Sequence, residues 1–167
     1  TFPDNGPHAR LRSGRKDDNT TICPGSDGQF SIKRNLWLAG EVGTDVLQIR
    51  LRHPSPMKSL IPKSVAVSLA VAFRLSLSRH LGVEQREIGW TVQDSIDTGT
   101  AVRDIFLYDA AAGGAGYVSN AAGLLQNVIR DAQTMLKSCS CDSACHSCLL
   151  DFDTQQYAHD LSRVSAL

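Results

Sequence analysis

Cys139-Ser140-Cys141-Asp142-Ser143-Ala144-Cys145-His146-Ser147-Cys148 is the stretch on which the reading of this chain turns. It holds four of the five cysteines of the protein, spaced C-x-C-x3-C-x2-C. Loops this short cost little entropy to close, so four thiolates can converge on one tetrahedral ion. The same closeness suits disulfides poorly, because neighbouring thiols enclose no long loop to restrict. A structural Zn2+ is the expected occupant, held by Cys139, Cys141, Cys145 and Cys148. An iron–sulfur cluster also takes four thiolates, but its familiar spacings differ from this one. A disulfide-rich secreted domain calls for cysteines spread along the chain and an export signal, and neither is seen. His146 lies between the third and fourth thiols and stays outside the ligand set while four sulfurs are at hand. Four thiolates close the coordination sphere, which argues against catalytic zinc.

Working outward, the chain divides into three expected regions: a polar arm over 1–30, an α/β core over 31–137, and a zinc knuckle with a closing helix over 138–167. The arm is rich in Gly, Pro, Asp, Asn, Arg and Lys with almost no apolar rhythm, and reads as a solvated linker. Its lone Cys23 is a spare thiol or half of a site completed elsewhere. In the core, Phe30–Leu38 reads as a strand or short packed element. Thr44–Arg52 alternates Val46, Gln48, Arg50 and Arg52 against Leu47, Ile49 and Leu51, the period of a half-buried strand. Leu60, Ile61, Val65, Leu69, Ala72, Phe73 and Leu77 recur at helical steps, so Ser59–His80 is expected to be an amphipathic helix, with Pro62 in its first turn and Gly82 at its stop. Two strands follow, near 87–93 and 102–108, joined by a turn of hairpin composition over Asp94–Thr100. A second helix carries Tyr117, Ala121, Leu124, Leu125, Val128, Ala132, Met135 and Leu136 on its buried stripe. A short helix over about 154–164 ends the chain. The expected fold is α/β of the α+β kind: a small sheet, two core helices and a four-cysteine knuckle.

Gross numbers narrow the function. With 167 residues and 42% hydrophobic content the chain can bury one core. A formal net charge of zero argues against coating nucleic acid by bulk electrostatics, though a local basic face survives. The longest apolar run, Val65–Phe73, falls far short of the ~20 residues of a membrane span. The stretch from Thr1 reads without an apolar leader, so no targeting segment is expected, and the cysteine usage points to a reducing, cytoplasmic setting. The start at Thr1 reads as a processed chain or an excised piece of a larger one.

Two further places invite chemistry. Asp109-Ala-Ala-Ala-Gly113-Gly114-Ala115-Gly116, between a strand and a helix, presents amides that attract anions, but it matches no complete nucleotide-binding motif. Its glycines equally serve positive φ and close helix–sheet approach. Gly114 and Gly116, with Arg50, Arg52 and Lys58 at the first strand's exit, are the candidate phosphate ligands. Asp109 with Glu41 or Asp45 would be needed for a metal-dependent nuclease or hydrolase, although nothing in their spacing requires it.

With these residues in place, the chain resembles the C-terminal zinc-binding domain of mitomycin-repair-type superfamily 2 helicases and of component B of the DISARM anti-phage system. The resemblance rests on Glu41-x-x-Thr44-Asp45-Val46-Leu47, on Leu107-Tyr108-Asp109-x3-Gly113-Gly114-Ala115-Gly116-Tyr117, and on the cysteine string running into Leu149-x-Asp151-Phe152-Asp153, Gln155 and Leu161-Ser-Arg163. Together these cover roughly residues 36–165. Thr154 departs from the asparagine common at that place in the family. The resemblance implies zinc on the four cysteines, DNA and a helicase domain or subunit as partners, and a place in DNA repair or phage defence. It also implies an accessory rather than an enzymatic part, since the chain has no Walker A loop with which to hydrolyse ATP.

Overall fold

In the computed structural model, the described residues are 11–12, 15–16, 40–53 and 60–167. Phe30–Leu38, Cys23 and Lys58 lie outside them. The chain separates into two compact units, Thr1–Glu41 and Val42–Leu167. In the first, β1 (Leu11–Arg12) pairs antiparallel with β2 (Arg15–Lys16).

The second unit is built on a three-stranded antiparallel sheet in the order β3-β5-β4, with β3 at Val46–Leu51, β4 at Ile88–Asp97 and β5 at Thr100–Asp109. The alternation read from Val46–Leu51 holds residue by residue. Leu47, Ile49 and Leu51 pair across to Leu107, Ile105 and Arg103. Those in turn oppose Trp90, Val92 and Asp94, so one face of the sheet is apolar and its far end is charged. Asp109 and Ile88 share that face at the other end, and both are buried. The opposite face carries Gln48, Arg50, Ser95 and Asp104 in one hydrogen-bonded group. Gly89 is required there, because a Cβ would stand 2.2 Å from the ring of its cross-strand partner Tyr108.

The β4–β5 hairpin is tighter than its composition implies. Both strands run through to a two-residue turn at Thr98 and Gly99, with φ of 49° and 81°, the positive pair of hairpin turns. Asp94 and Asp97 were expected in the turn, because carboxylates are poor strand formers. They are tolerated in β4 because Arg103 forks onto Asp94 at 2.6 and 3.0 Å, while Arg50 and Arg52 pair with Asp97.

Helix α1 (Lys63–Leu81) runs through the middle of the unit. Pro62 sits at its N-cap, and Gly82 ends it in the left-handed region at φ 69°. Gly82 and Val83 return their N–H groups to the carbonyls of Arg79 and Ser78, the bonding of a helix stop that favours glycine. The expected amphipathic stripe is replaced by something more demanding. From Ala66 to Ser78 every residue but Leu69 is buried. Sheet, second helix and C-terminal tail all pack on α1, and its Ala, Ser and Val side chains are small enough to admit them on every side.

Helix α2 (Tyr117–Ser138) keeps a one-sided stripe, with Val118, Ala121, Val128, Ala132 and Leu136 buried. After the cysteine loop, the tail forms two 3-10 turns, Gln155–Asp160 and Val164–Ala166, instead of the single expected helix. Its main chain is committed elsewhere: Ser162 N–H donates to Ser68 Oγ on α1, and Arg163 N–H to Ser143 O. Tyr157 meets Trp90 edge-on at 4.9 Å, and Lys63 pairs with Asp160 at 2.9 Å. Among the described residues, no helix is long and apolar enough to cross a membrane.

Candidate metal centre

Cys139 follows α2 directly, in extended backbone at φ −92° and ψ 143°. Cys145 to Cys148 form a tight turn in which the amides of Cys148, Leu149 and Leu150 all converge on the Cys145 carbonyl at 3.0–3.2 Å. The Cys145 amide in turn points at the Cys148 sulfur, 3.4 Å away. The chain path thus gathers all four sulfurs within 4.8 Å of one another. Individual separations are 3.5 Å for Cys139–Cys145, 3.6 Å for Cys141–Cys148 and 3.8 Å for Cys145–Cys148. A tetrahedral ion with metal–sulfur bonds of about 2.3 Å sets its sulfurs about 3.8 Å apart; a disulfide needs about 2.05 Å. The four cysteines are free thiols, and their spacing fits an ion. Among the described residues this is the one group of three or more His, Cys, Asp or Glu side chains that converges on a point.

Electrostatics explain why the cluster favours a cation. The Ser147 amide and the neighbouring Cys139 draw the Cys145 thiol down to about 7. Burial pushes Cys148 up to about 12 and raises Cys141 as well. One sulfur is thus ready to ionise at neutral pH, while its buried neighbours resist adding negative charge beside it. A divalent ion reverses that resistance and takes all four as thiolates.

The loop is held from outside by residues far away in sequence. Arg163 donates to the carbonyls of Cys141 at 2.7 Å and Leu136 at 3.1 Å, satisfying a carbonyl of the last turn of α2. Ser143 Oγ donates to Leu161 O at 2.7 Å. Just past the cysteines, Thr154 is wholly buried. It exchanges hydrogen bonds with Asp151, and its hydroxyl also reaches the Leu149 carbonyl at 2.9 Å. Threonine's short hydroxyl is therefore what fixes this turn. Asp151 then pairs at 2.7 Å with Arg74, a cation buried in the middle of α1.

Several of the other candidate residues have partners within the chain. Both Asp109 oxygens accept main-chain N–H groups at the start of α2, from Ala115 at 2.7 Å and from Tyr117 and Val118 at 3.0 Å. Gly114 donates to Ala111 O, and Gly113 to Gly43 O. The anion seated in this turn is the chain's own carboxylate. Gly114 has φ 79°, and a Cβ there would stand 2.7 Å from the Asp45 carboxylate; close approach, the structural use of glycine, is what this position serves. Glu41 belongs to the other unit. Arg50 forks onto Asp104 at 2.8 and 3.0 Å, and Arg52 is bound to Asp97. Asp104, buried under Arg50, Ser95 and Gln48, is held down to about 2, chiefly by the Arg50 hydrogen bond.

Comparison with known proteins adds three findings. Residues 69–149 match the family model of the MrfA Zn-binding domain. The Druantia protein DruE of Escherichia coli (strain UMEA 4076-1) is 30% identical over 142 residues, covering 78% of this chain but 8% of DruE. The crystal structure of the DUF1998 helicase MrfA bound to DNA aligns over 59% of this chain and 14% of that one, at a TM-score of 0.43 and 18% identity. The chain thus spans under a tenth of the length of the curated relative it matches.

Proposed function

From the match of residues 69–149 to the MrfA Zn-binding domain, we propose a non-catalytic accessory module of a helicase-associated DNA repair or anti-phage defence protein. It works in the cytoplasm, where thiols stay reduced. Zinc is its cofactor, and Cys139, Cys141, Cys145 and Cys148 are its ligands in this reading. The observation that carries it is the convergence of four free sulfurs at spacings a tetrahedral ion requires. A ten-residue loop buries too little apolar surface to order itself, so the ion supplies the folding energy of the tail. The ordered tail then braces α1 and α2 and presents a rigid surface to DNA and to a helicase domain or subunit. Similarity to a Druantia protein favours the defence setting over repair, and Druantia rather than DISARM as its nearest context.

DNA contact is tested by titrating labelled duplex and single-stranded oligonucleotides at rising salt. Affinity falling steeply with salt is expected of phosphate contacts. No binding at low salt would leave protein docking as the module's task. The hydrolase alternative gives Asp109 a metal together with Asp45 or Glu41. It is disfavoured because three amides already take up the Asp109 carboxylate. A cleavage assay in Mg2+ or Mn2+, with Asp109→Asn to preserve an acceptor for those amides, decides it: no cleavage by either protein is expected, and cleavage abolished by the substitution would restore the enzyme.

A further inference from the structure

Arg50, Arg52 and the Gly114 amide already have partners within the chain, while the same unit carries a groove in which the Arg79 side chain has none among the described residues. We propose that this groove, between the last turns of α1, the second half of α2 and the cysteine loop, is where the domain binds the phosphodiester backbone of nucleic acid. It encloses about 550 Å³ and is lined by Ser76, Arg79 and His80 from α1, by Asp131 and Met135 from α2, and by Ser147 from the loop, the size range of ligand sites.

Three observations point to an anionic polymer. Arg79 is exposed and has no ion-pair partner among the described residues. His80 Nε2 meets Asp131 at 2.6 Å, so the groove's one lining carboxylate already has a partner within the groove. Arg130 and Lys137, exposed and one helical face with Thr134, which also lines the groove, add positive charge along one rim. Basic residues in a last helical turn often serve the helix dipole alone. What separates this groove from that ordinary case is Ser76. Its hydroxyl is buried and lacks a hydrogen-bond partner among the described residues, a state that costs stability unless something binds there. Thr134 and Ser138 have spent their hydroxyl protons on the carbonyls of Arg130 and Met135, so Arg79, Ser76 and the exposed Ser147 are left to donate. Phe, Tyr and Trp are missing from the groove's lining, so stacking is limited to His80 and the Arg79 guanidinium, and recognition of the backbone with little sequence preference follows.

The inference rests on the nucleic-acid half of the proposed function and sharpens it to one surface. The test is anisotropy of a labelled oligonucleotide with the whole chain, zinc-loaded, over a salt series. Arg79→Ala is expected to weaken binding about tenfold and to flatten the salt slope by about one. Ser76→Ala removes an unpartnered hydroxyl, so the melting temperature should hold or rise while binding weakens. Arg86→Ala, an exposed cation paired with Glu84 outside the groove, should change nothing. Wild-type binding that survives Arg79→Ala, Arg79→Glu and Ser76→Ala would overturn the groove and leave the proposed function standing. Release of the oligonucleotide by millimolar inorganic phosphate would reassign the groove to small anions and overturn the polymer. Failure of the unaltered chain to bind at low salt would remove both readings together.

Discussion

The two ends of α2 solve the same electrostatic problem in opposite ways. At the N-terminus, backbone N–H groups need an anion, and the chain supplies one from within: Asp109, buried at the end of β5, accepts three of them. At the C-terminus, the anions come first. Four sulfurs converge after Ser138, and no side-chain cation of the described residues sits among them; the guanidinium contacts of Arg163 go to carbonyls. The first junction is complete when the chain folds. The second is completed by an ion, so its order is conditional on metal supply, pH and redox state in a way the first is not.

Substitutions at the two ends should therefore fail differently. The largest effect is expected from Cys145→Ser, which removes the most readily ionised thiol. Zinc stoichiometry should collapse, and hydrogen exchange should show the tail from Cys139 onward losing protection while β3, β4 and β5 keep theirs. A variant that melted like the parent and retained its metal would erase the contrast. Next comes Asp109→Ala, which strands the buried Val118 and half-buried Tyr117 amides along with that of the exposed Ala115. A loss of about 3 kcal/mol is expected, read by denaturant unfolding, with zinc content unchanged. Gly114→Ala should follow at about 2 kcal/mol, from strain at positive φ and displacement of Asp45. The smallest effect is acid sensitivity in the sheet. Asp104 has its folded value lowered to about 2, so its contribution is present above the ordinary carboxylate range and disappears as pH falls from about 4 through 2. Asp104→Asn should flatten the stability profile in that window. The knuckle should let go at higher pH, because protons compete with zinc for the thiolates.

How much of this was legible in the sequence follows the range of the interactions. The cysteine loop, the alternation of β3, the stripe of α2 and the Gly82 stop depend on neighbours a few residues away, and each could be read. Helix α1 could not. Its amphipathic reading assumed one covered face, whereas sheet, α2 and tail enclose it, and nothing local says that Ser68, Ser76 and Ser78 are buried. Long-range partners were equally hidden. Arg74 reaches Asp151 across 77 positions and Arg163 reaches Cys141 across 22; at sequence level each is one more surface charge. Equally invisible were the pairing of Arg50 with Asp104 and of Arg52 with Asp97, and the seating of Asp109 on the amides of Ala115, Tyr117 and Val118. The last segment looked helical by composition but spends its backbone bonds on α1 and the cysteine loop.

Zinc K-edge X-ray absorption on the purified chain reaches the central claim most directly. A first shell of four sulfurs at about 2.3 Å, lost in Cys145→Ser, is the predicted spectrum. A shell containing nitrogen or oxygen in place of sulfur, or a protein that carries no zinc at all, would contradict it.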